Sequence, residues 1–222
     1  MKLITFQTKE AWAILQEKGI LTANPSYIDL QKYSVPYDWI VKAMKEQKIL
    51  PQNKEKYPLW AWKKCGRFMA PPKRKNIHHI SQDIVKITFE KNADEVLLSD
   101  YMAYSFLLSG LIVPKTHQEY NDFFDELKRK NISLNDLKNF VRNQEAPSSV
   151  CKLFPKIQKT WPRIFDLKSD VHQACIWNIK ITEVQKVEIP TDSNYLYGTM
   201  NALRANGTGP NWKEKYLEFL SE

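Results

Sequence analysis

The chain has 222 residues, 43% of them hydrophobic and 12% aromatic, with a formal net charge of +8. That length and apolar content suit one folded domain, 1–222, with a sizeable core. No apolar run approaches the roughly 20 residues of a membrane span. Three widely spaced cysteines, Cys65, Cys151 and Cys175, form no CxxC pair. Neither a disulfide framework nor a metal knuckle is therefore expected, and a reducing, cytoplasmic setting is. The opening MKLITFQTKEAW passes straight into an amphipathic helical pattern, unlike a secretory leader.

The positive charge is concentrated. Between Lys56 and Gln82 stand seven basic residues (Lys56, Lys63, Lys64, Arg67, Lys73, Arg74, Lys75) and no acidic one. Screening acts over about 8–10 Å at physiological salt, so such a cluster makes a local positive field that a polyanion feels. A solvated basic loop insertion, about 63–82, and a nucleic-acid contact both remain open for it.

In chain order, Leu3 to Phe6 reads as a short strand and Thr8 as the N-cap of a helix whose stripe is Ala11, Trp12, Ile14, Leu15 and Lys18. Gly19 closes that helix in the left-handed conformation. Pro36 suits a first helical position, followed by the stripe Tyr37, Ile40, Val41 and Met44, with Trp39 off it and free to cover a neighbouring loop. Tyr57 to Trp62 (YPLWAW) reads as a strand with Trp60 and Trp62 on one face, as a core layer or as a stacking wall for a flat ring. The stretch 70–79, APPKRKNIHH, is a loop, and His78 and His79 lack metal-ligand spacing.

Ile84 to Glu90 alternates as a strand, and Val96 to Leu98 forms a short one running into Asp100, a residue able to cap the helix Tyr101 to Ser109. Glu119 to Lys130 is helical, and Ser133 or Asn135 caps a second helix carrying Leu137, Phe140 and Val141. Residues 145–165 hold three prolines and read as an ordered loop with a helical turn. Val171 to Pro190 gives a pair of strands: Trp177, Ile179 and Ile181 share one face, and Val187 and Ile189 follow after a break at Thr182-Glu183. Gln173 enters the first of these as a polar residue that is either capped by neighbours or chemically active. A connector follows over 201–210 and a last helix over 211–221. The expected fold is α+β, with a small mixed or antiparallel, split sheet and several flanking helices. GxGxxG, Walker A and HExxH patterns are all missing, which removes the dinucleotide-fold, P-loop and zincin readings.

The segments LITFQTKEAWAILQEKGIL, YPLWAW, VLLSDY and QACIWNI together resemble an uncharacterised bacterial domain family whose members open with an LWTIQT-like strand. The succession strand, Thr, helix, Gly-Ile-Leu is more distantly similar to ADP-ribosyltransferases of the DarT type. That resemblance implies an ADP-ribosyltransferase-like fold and NAD as a substrate, held by Gln7, Thr8, Tyr37, Trp60 and Trp62. It also implies a late strand presenting a glutamate that steadies the oxocarbenium-like transition state. The family's His-x-Thr histidine falls on Phe6 and its glutamate near Gln173. Gln173 can hydrogen-bond a ribose hydroxyl, and the negative charge would come from Asp100, Asp170 or Glu183. Catalytic roles accordingly fall on Gln173 and Asp100.

On this reading NAD lies between the Gln7-Thr8 turn and the Gln173 strand. Lys63, Lys64, Arg67, Lys73, Arg74 and Lys75 guide a nucleic-acid acceptor by phosphate contacts, and no metal or membrane takes part. Such an enzyme would suit a bacterial toxin–antitoxin or phage-defence role, with an antitoxin protein as partner. The alternatives are a non-enzymatic nucleic-acid-binding module and an interaction protein whose exposed aromatics bury in a complex.

Overall fold

A computed structural model describes residues 1–25, 30–65, 84–142 and 145–188, together with Leu217 and Leu220. The first unit forms as its sequence dictates. Strand β1 (Lys2–Thr8) ends on Thr8, whose hydroxyl accepts from the Ala11 amide at 3.0 Å to start helix α1 (Lys9–Lys18). Gly19 ends α1 at φ 72°, a left-handed conformation that glycine adopts without a Cβ penalty. Strand β2 (Ile20–Thr22) follows. Helix α2 (Leu30–Glu46) is interrupted at Tyr33, whose backbone is non-helical, three residues before Pro36.

Strands β3 (Leu59–Cys65), β4 (Ile84–Glu90) and β5 (Leu97–Asp100) come next, then helices α3 (Tyr101–Leu108), α4 (His117–Arg129) and α5 (Leu134–Val141). Ser133 caps α5 in a reciprocal box with Asp136, deciding between the two candidate caps.

Residues 145–165 differ from the expected loop. Ser148–Gln158 is helix α6, and Trp161–Asp166 is a 3-10 segment. Pro147 sits at the N-cap, where no amide hydrogen is needed, and Pro155 enters late in the helix. Val150, Leu153, Phe154 and Ile157 make an i, i+3, i+4, i+7 stripe that is fully buried. Each such side chain contributes about 1.5–3 kcal/mol on burial, enough to outweigh the late proline.

The 171–181 run also differs from one continuous strand. Strand β6 (Val171–Ile176) ends at a bend on Trp177, whose indole N–H donates to the Ile49 carbonyl at 2.9 Å. Strand β7 (Asn178–Lys180) then leaves the main sheet and pairs with β2. A 3-10 turn over Ile181–Glu183 leads into β8 (Val184–Glu188).

The architecture is α+β. A six-stranded sheet has the order β5-β6-β3-β1-β4-β8, with every described neighbour pair antiparallel, and β2-β7 forms a small second sheet. Across one lateral row Ile4 pairs with Trp62, Trp62 with Gln173, and Gln173 with Ser99, so these four side chains leave the same face. That face carries Leu97 and Cys175 into a core built from α2 to α6, with Trp161 fully buried inside it. Trp39, off its own helix stripe, stacks on Phe165 and meets Trp161 edge-on, covering the 3-10 segment. The opposite face sends Leu3, Ala61, Ile87 and Ala174 into a second core closed by Leu15 of α1 and by Leu21 and Ile179 of the small sheet. Of the expected last helix, Leu217 is helical and buried, and Leu220 packs on the first core; the 201–210 connector and the rest of 211–221 lie outside the described residues.

Candidate functional site

Strand β1 pairs with β4 over seven positions, but with β3 its register is Ile4 with Trp62 alone. Beyond that pair a cleft of about 770 Å³ lies between the C-terminal end of β1 and the N-terminal end of β3. Its walls are Phe6, Gln7 and Thr8 from β1, Glu10, Ala11, Ile14 and Lys18 from α1, β2 with the segment after it, Pro58, Leu59 and Trp60, and Tyr37 from α2. The volume falls within the roughly 300–1,000 Å³ of ligand pockets.

Four of the five residues expected to hold a ligand, Gln7, Thr8, Tyr37 and Trp60, line this cleft. They are braced from within. The Gln7 amide donates to Thr5 Oγ1 at 2.8 Å, and that hydroxyl donates to the Trp60 carbonyl at 2.9 Å, tying the two strands together at the mouth. The Trp60 indole N–H donates to the Tyr37 hydroxyl at 3.0 Å, and the Trp60 ring lies edge-on to Tyr37 and tilted on Tyr104, 5.0 Å between centroids. Burial raises the Tyr37 phenol above its ordinary pKa, the Trp60 hydrogen bond opposing this in part, so Tyr37 is a neutral hydroxyl at physiological pH. Trp62, the fifth residue, lies two positions along β3 against Tyr101, 5.1 Å between centroids. Trp60 thus packs against the core and walls the cleft at once, while Trp62 lies against Tyr101 outside the cleft.

Gln173 and Asp100 stand elsewhere. Gln7 is three residues from Ile4 along β1 and so leaves the sheet on the face opposite to Gln173, two strands away. A ligand squeezed directly between the two, as the sequence suggests, has the sheet in its way. Gln173 is 3% exposed, flanked by Trp62 and Ser99.

Asp100 caps α3: Oδ1 accepts from the Ala103 amide at 3.0 Å and from the Ser169 hydroxyl at 2.9 Å, and Oδ2 accepts from the Ser169 amide. At 1% exposure with both oxygens engaged, it is a structural carboxylate that joins α3 to the start of β6. Glu183 is equally committed, to Lys91 at 2.8 Å, and Lys91 also donates to Asn178. Asp170 is exposed just before β6. None of these three carboxylates lines the cleft, where Glu10 does. Cys175, buried behind Trp60, is held well above its usual pKa by burial and is not a thiolate nucleophile.

Of the basic residues, Lys63 is exposed on β3 and Lys64 follows in the same strand, while Arg67, Lys73, Arg74 and Lys75, with His78 and His79, lie outside the described residues. Among the described residues no group of three or more His, Cys, Asp or Glu could hold a metal ion, and no helix is long and apolar enough to cross a membrane. What sequence reasoning missed was the cleft's apolar floor, Ala11 and Ile14. Both belong to the amphipathic stripe of α1, where they are partly buried against the second core and also line the cleft.

No curated protein and no solved structure matches the chain. A family model described as "Domain of unknown function (DUF3841)" matches residues 2–185, which spans every strand and helix that forms the cleft and its walls, and the chain belongs to that family.

Proposed function

We propose that the cleft between β1 and β3 binds NAD and that the chain transfers ADP-ribose from it to a macromolecular acceptor, nucleic acid above all. The observation that carries this reading is the cleft itself, which sets aromatic walls (Tyr37, Trp60) beside hydrogen-bonding groups (Gln7, Thr8) at the parting of two strands. Those residues suit flat rings and hydroxyls, and Lys18 at the rim suits a phosphate. Bound there, NAD supplies a labile bond: nicotinamide departs with the bonding electron pair, and an acceptor nucleophile closes on the ribose anomeric carbon as it loses its proton. The chain's own part is to orient the dinucleotide along Gln7 and Thr8, exclude water with Trp60 and Tyr37, and draw a polyanionic acceptor with Lys63 and the basic stretch behind it. A role in toxin–antitoxin or phage defence, with an antitoxin as partner, belongs to the same proposal.

One observation favours a second reading. The carboxylates expected to stabilise a developing cation, Asp100 and Glu183, are engaged in structural contacts away from the cleft. A non-enzymatic nucleic-acid-binding module needs no such charge.

Thermal melting with millimolar NAD, paired with an assay for nicotinamide release, tests the proposal. A ligand at a hundredfold excess over Kd stabilises by about 2.7 kcal/mol, or roughly 5–11 °C at about 2–4 °C per kcal/mol for a chain of this size. Ala11→Phe, which fills the cleft floor, should lose the shift. A native protein that does not shift with NAD, yet binds oligonucleotides with a steep salt dependence, would establish the second reading instead.

A further inference from the structure

One stripe of α1 runs the length of the cleft. Glu10, Ala11, Ile14 and Lys18 all line it, a spacing dominated by the i, i+4, i+8 steps that keep side chains on a single side of a helix. The stripe is charged at its ends and apolar between them. Glu10 stands in the first turn of α1 and Lys18 in the last, about 12 Å apart along the axis at a rise of about 1.5 Å per residue. Among the described residues that line the cleft, Glu10 is the only acidic side chain and Lys18 the only basic one. The helix dipole favours each charge at the end where it stands.

The cleft therefore has a direction. Its Glu10 end adjoins Gln7 and Thr8 at the end of β1. Gln7 commits its amide nitrogen to Thr5 Oγ1 and brings Oε1 as an acceptor, while Thr8, whose oxygen accepts from the Ala11 amide, brings an O–H donor. Hydroxyl groups of a ligand are thus met beside the carboxylate, and Ala11 and Ile14 separate them from the lysine. The complementary ligand carries a cation and hydroxyls at one end and an anion at the other. Oxidised NAD has that order: a pyridinium on a ribose, then a pyrophosphate. Reversed, it would set the pyrophosphate against Glu10 and the pyridinium against Lys18, two like-charge contacts.

We infer that Glu10 is the carboxylate that faces the nicotinamide ribose, with Lys18 on the pyrophosphate, an assignment that rests on the NAD reading of the cleft. As the bond from ribose to nicotinamide breaks, its electron pair leaves with nicotinamide and the positive charge passes from the ring to the ribose. Glu10 faces that charge in both places and forms no bond. It brings to the cleft the negative charge that Asp100 and Glu183, held in structural contacts, do not. The same contact makes the cleft prefer oxidised NAD to NADH, whose ring is neutral, and to ADP-ribose, which lacks the ring.

Binding of NAD, NADH and ADP-ribose to the native chain and to Glu10→Gln, Lys18→Gln and Glu17→Gln tests it, with nicotinamide release measured at saturating NAD. Glu17 is exposed on the same helix and does not line the cleft, so its variant makes the same charge change away from the ligand. The native chain should bind NAD up to about fivefold more tightly than NADH, the size of an exposed ion pair. Glu10→Gln should abolish that preference, keep the native affinity for ADP-ribose, and slow release by a larger factor than it weakens binding, because the ribose charge grows as the bond breaks. Lys18→Gln should weaken all three ligands alike, and Glu17→Gln should match the native chain. Melting temperature without ligand reads any loss of helix stability separately. A preference for NAD over NADH that survives Glu10→Gln, or release as fast as in the native chain, overturns the assignment and leaves the NAD cleft standing. Tighter ADP-ribose binding by Glu10→Gln also overturns it, because the carboxylate would then face the pyrophosphate. No binding of any of the three ligands to the native chain overturns both.

Discussion

Replacing Asp100 separates a structural carboxylate from a catalytic one. In Asp100→Ala the amides of Ala103 and Ser169 both lose their acceptor, and the Ser169 hydroxyl falls back on its weaker contact to the Val171 carbonyl at 3.4 Å. Loss of an N-cap costs about 0.5–2 kcal/mol, and each buried donor left unmet about 1–3 kcal/mol. These effects overlap at the α3 terminus, so the expected destabilisation is roughly 3–5 kcal/mol, at the upper end for a point substitution. Asp100→Asn keeps one acceptor oxygen and should lose about 1–2 kcal/mol. Urea unfolding of the three proteins reads the difference directly, and about 2–4 °C per kcal/mol converts it to melting temperature. An Asp100→Ala chain within about 1 kcal/mol of the native one would refute the argument, because it would mean that the α3 cap and the junction to β6 form without this carboxylate.

Two further outcomes follow from particular residues. Gly19 and Gly110 are both left-handed, at φ 72° and 69°, and differ in surroundings: a Cβ on Gly19 meets only Ile181 at 3.9 Å, whereas on Gly110 it meets Val141 at 2.9 Å and the Leu137 carbonyl at 3.0 Å. Gly19→Ala should cost the conformational penalty of about 1–2 kcal/mol, and Gly110→Ala clearly more in the same unfolding assay; equal losses would contradict the packing described around α5. Glu126 is the second case. A hydrogen bond from Lys156 holds its carboxyl below the ordinary value near 4.5 against the opposing effect of burial, with a hydrogen bond from Lys130 adding to the lowering. A lowered folded-state pKa gives stability that is present above about 4.5 and is lost as pH falls through the folded value. Glu126→Gln should therefore flatten the decline in melting temperature below about pH 4.5, and a variant with the native acid limb would rule this contact out as a contributor.

Much of the fold is legible in the sequence because its signals are local. Thr8 and Gly19 bracket α1, Ser133 or Asn135 marks the start of α5, and the alternation in Ile84 to Glu90 fixes β4 to the residue. Even α6 was written in Val150, Leu153, Phe154 and Ile157; the prolines obscured it, because Pro147 at the N-cap needs no amide hydrogen and the cost of Pro155 inside the helix is outweighed by burial of that stripe. The four cleft residues Gln7, Thr8, Tyr37 and Trp60 lie on three separate segments and were singled out only by what the resemblance implies; that they line one cleft was decided by the fold.

What only the tertiary structure decided is which segments meet and on which side. The face a strand residue takes relative to another strand depends on register, a pairing across the sheet that no single segment encodes. That is why Gln7 and Gln173 fall on opposite faces, why Trp177 bends the chain from one sheet into another to reach the Ile49 carbonyl, and why Asp100 is tied to Ser169, 69 residues away. Capping by Asp100 was visible from its neighbours. That its second oxygen is also taken, leaving it out of the cleft, was settled by contacts that exist only once β5 and β6 lie side by side.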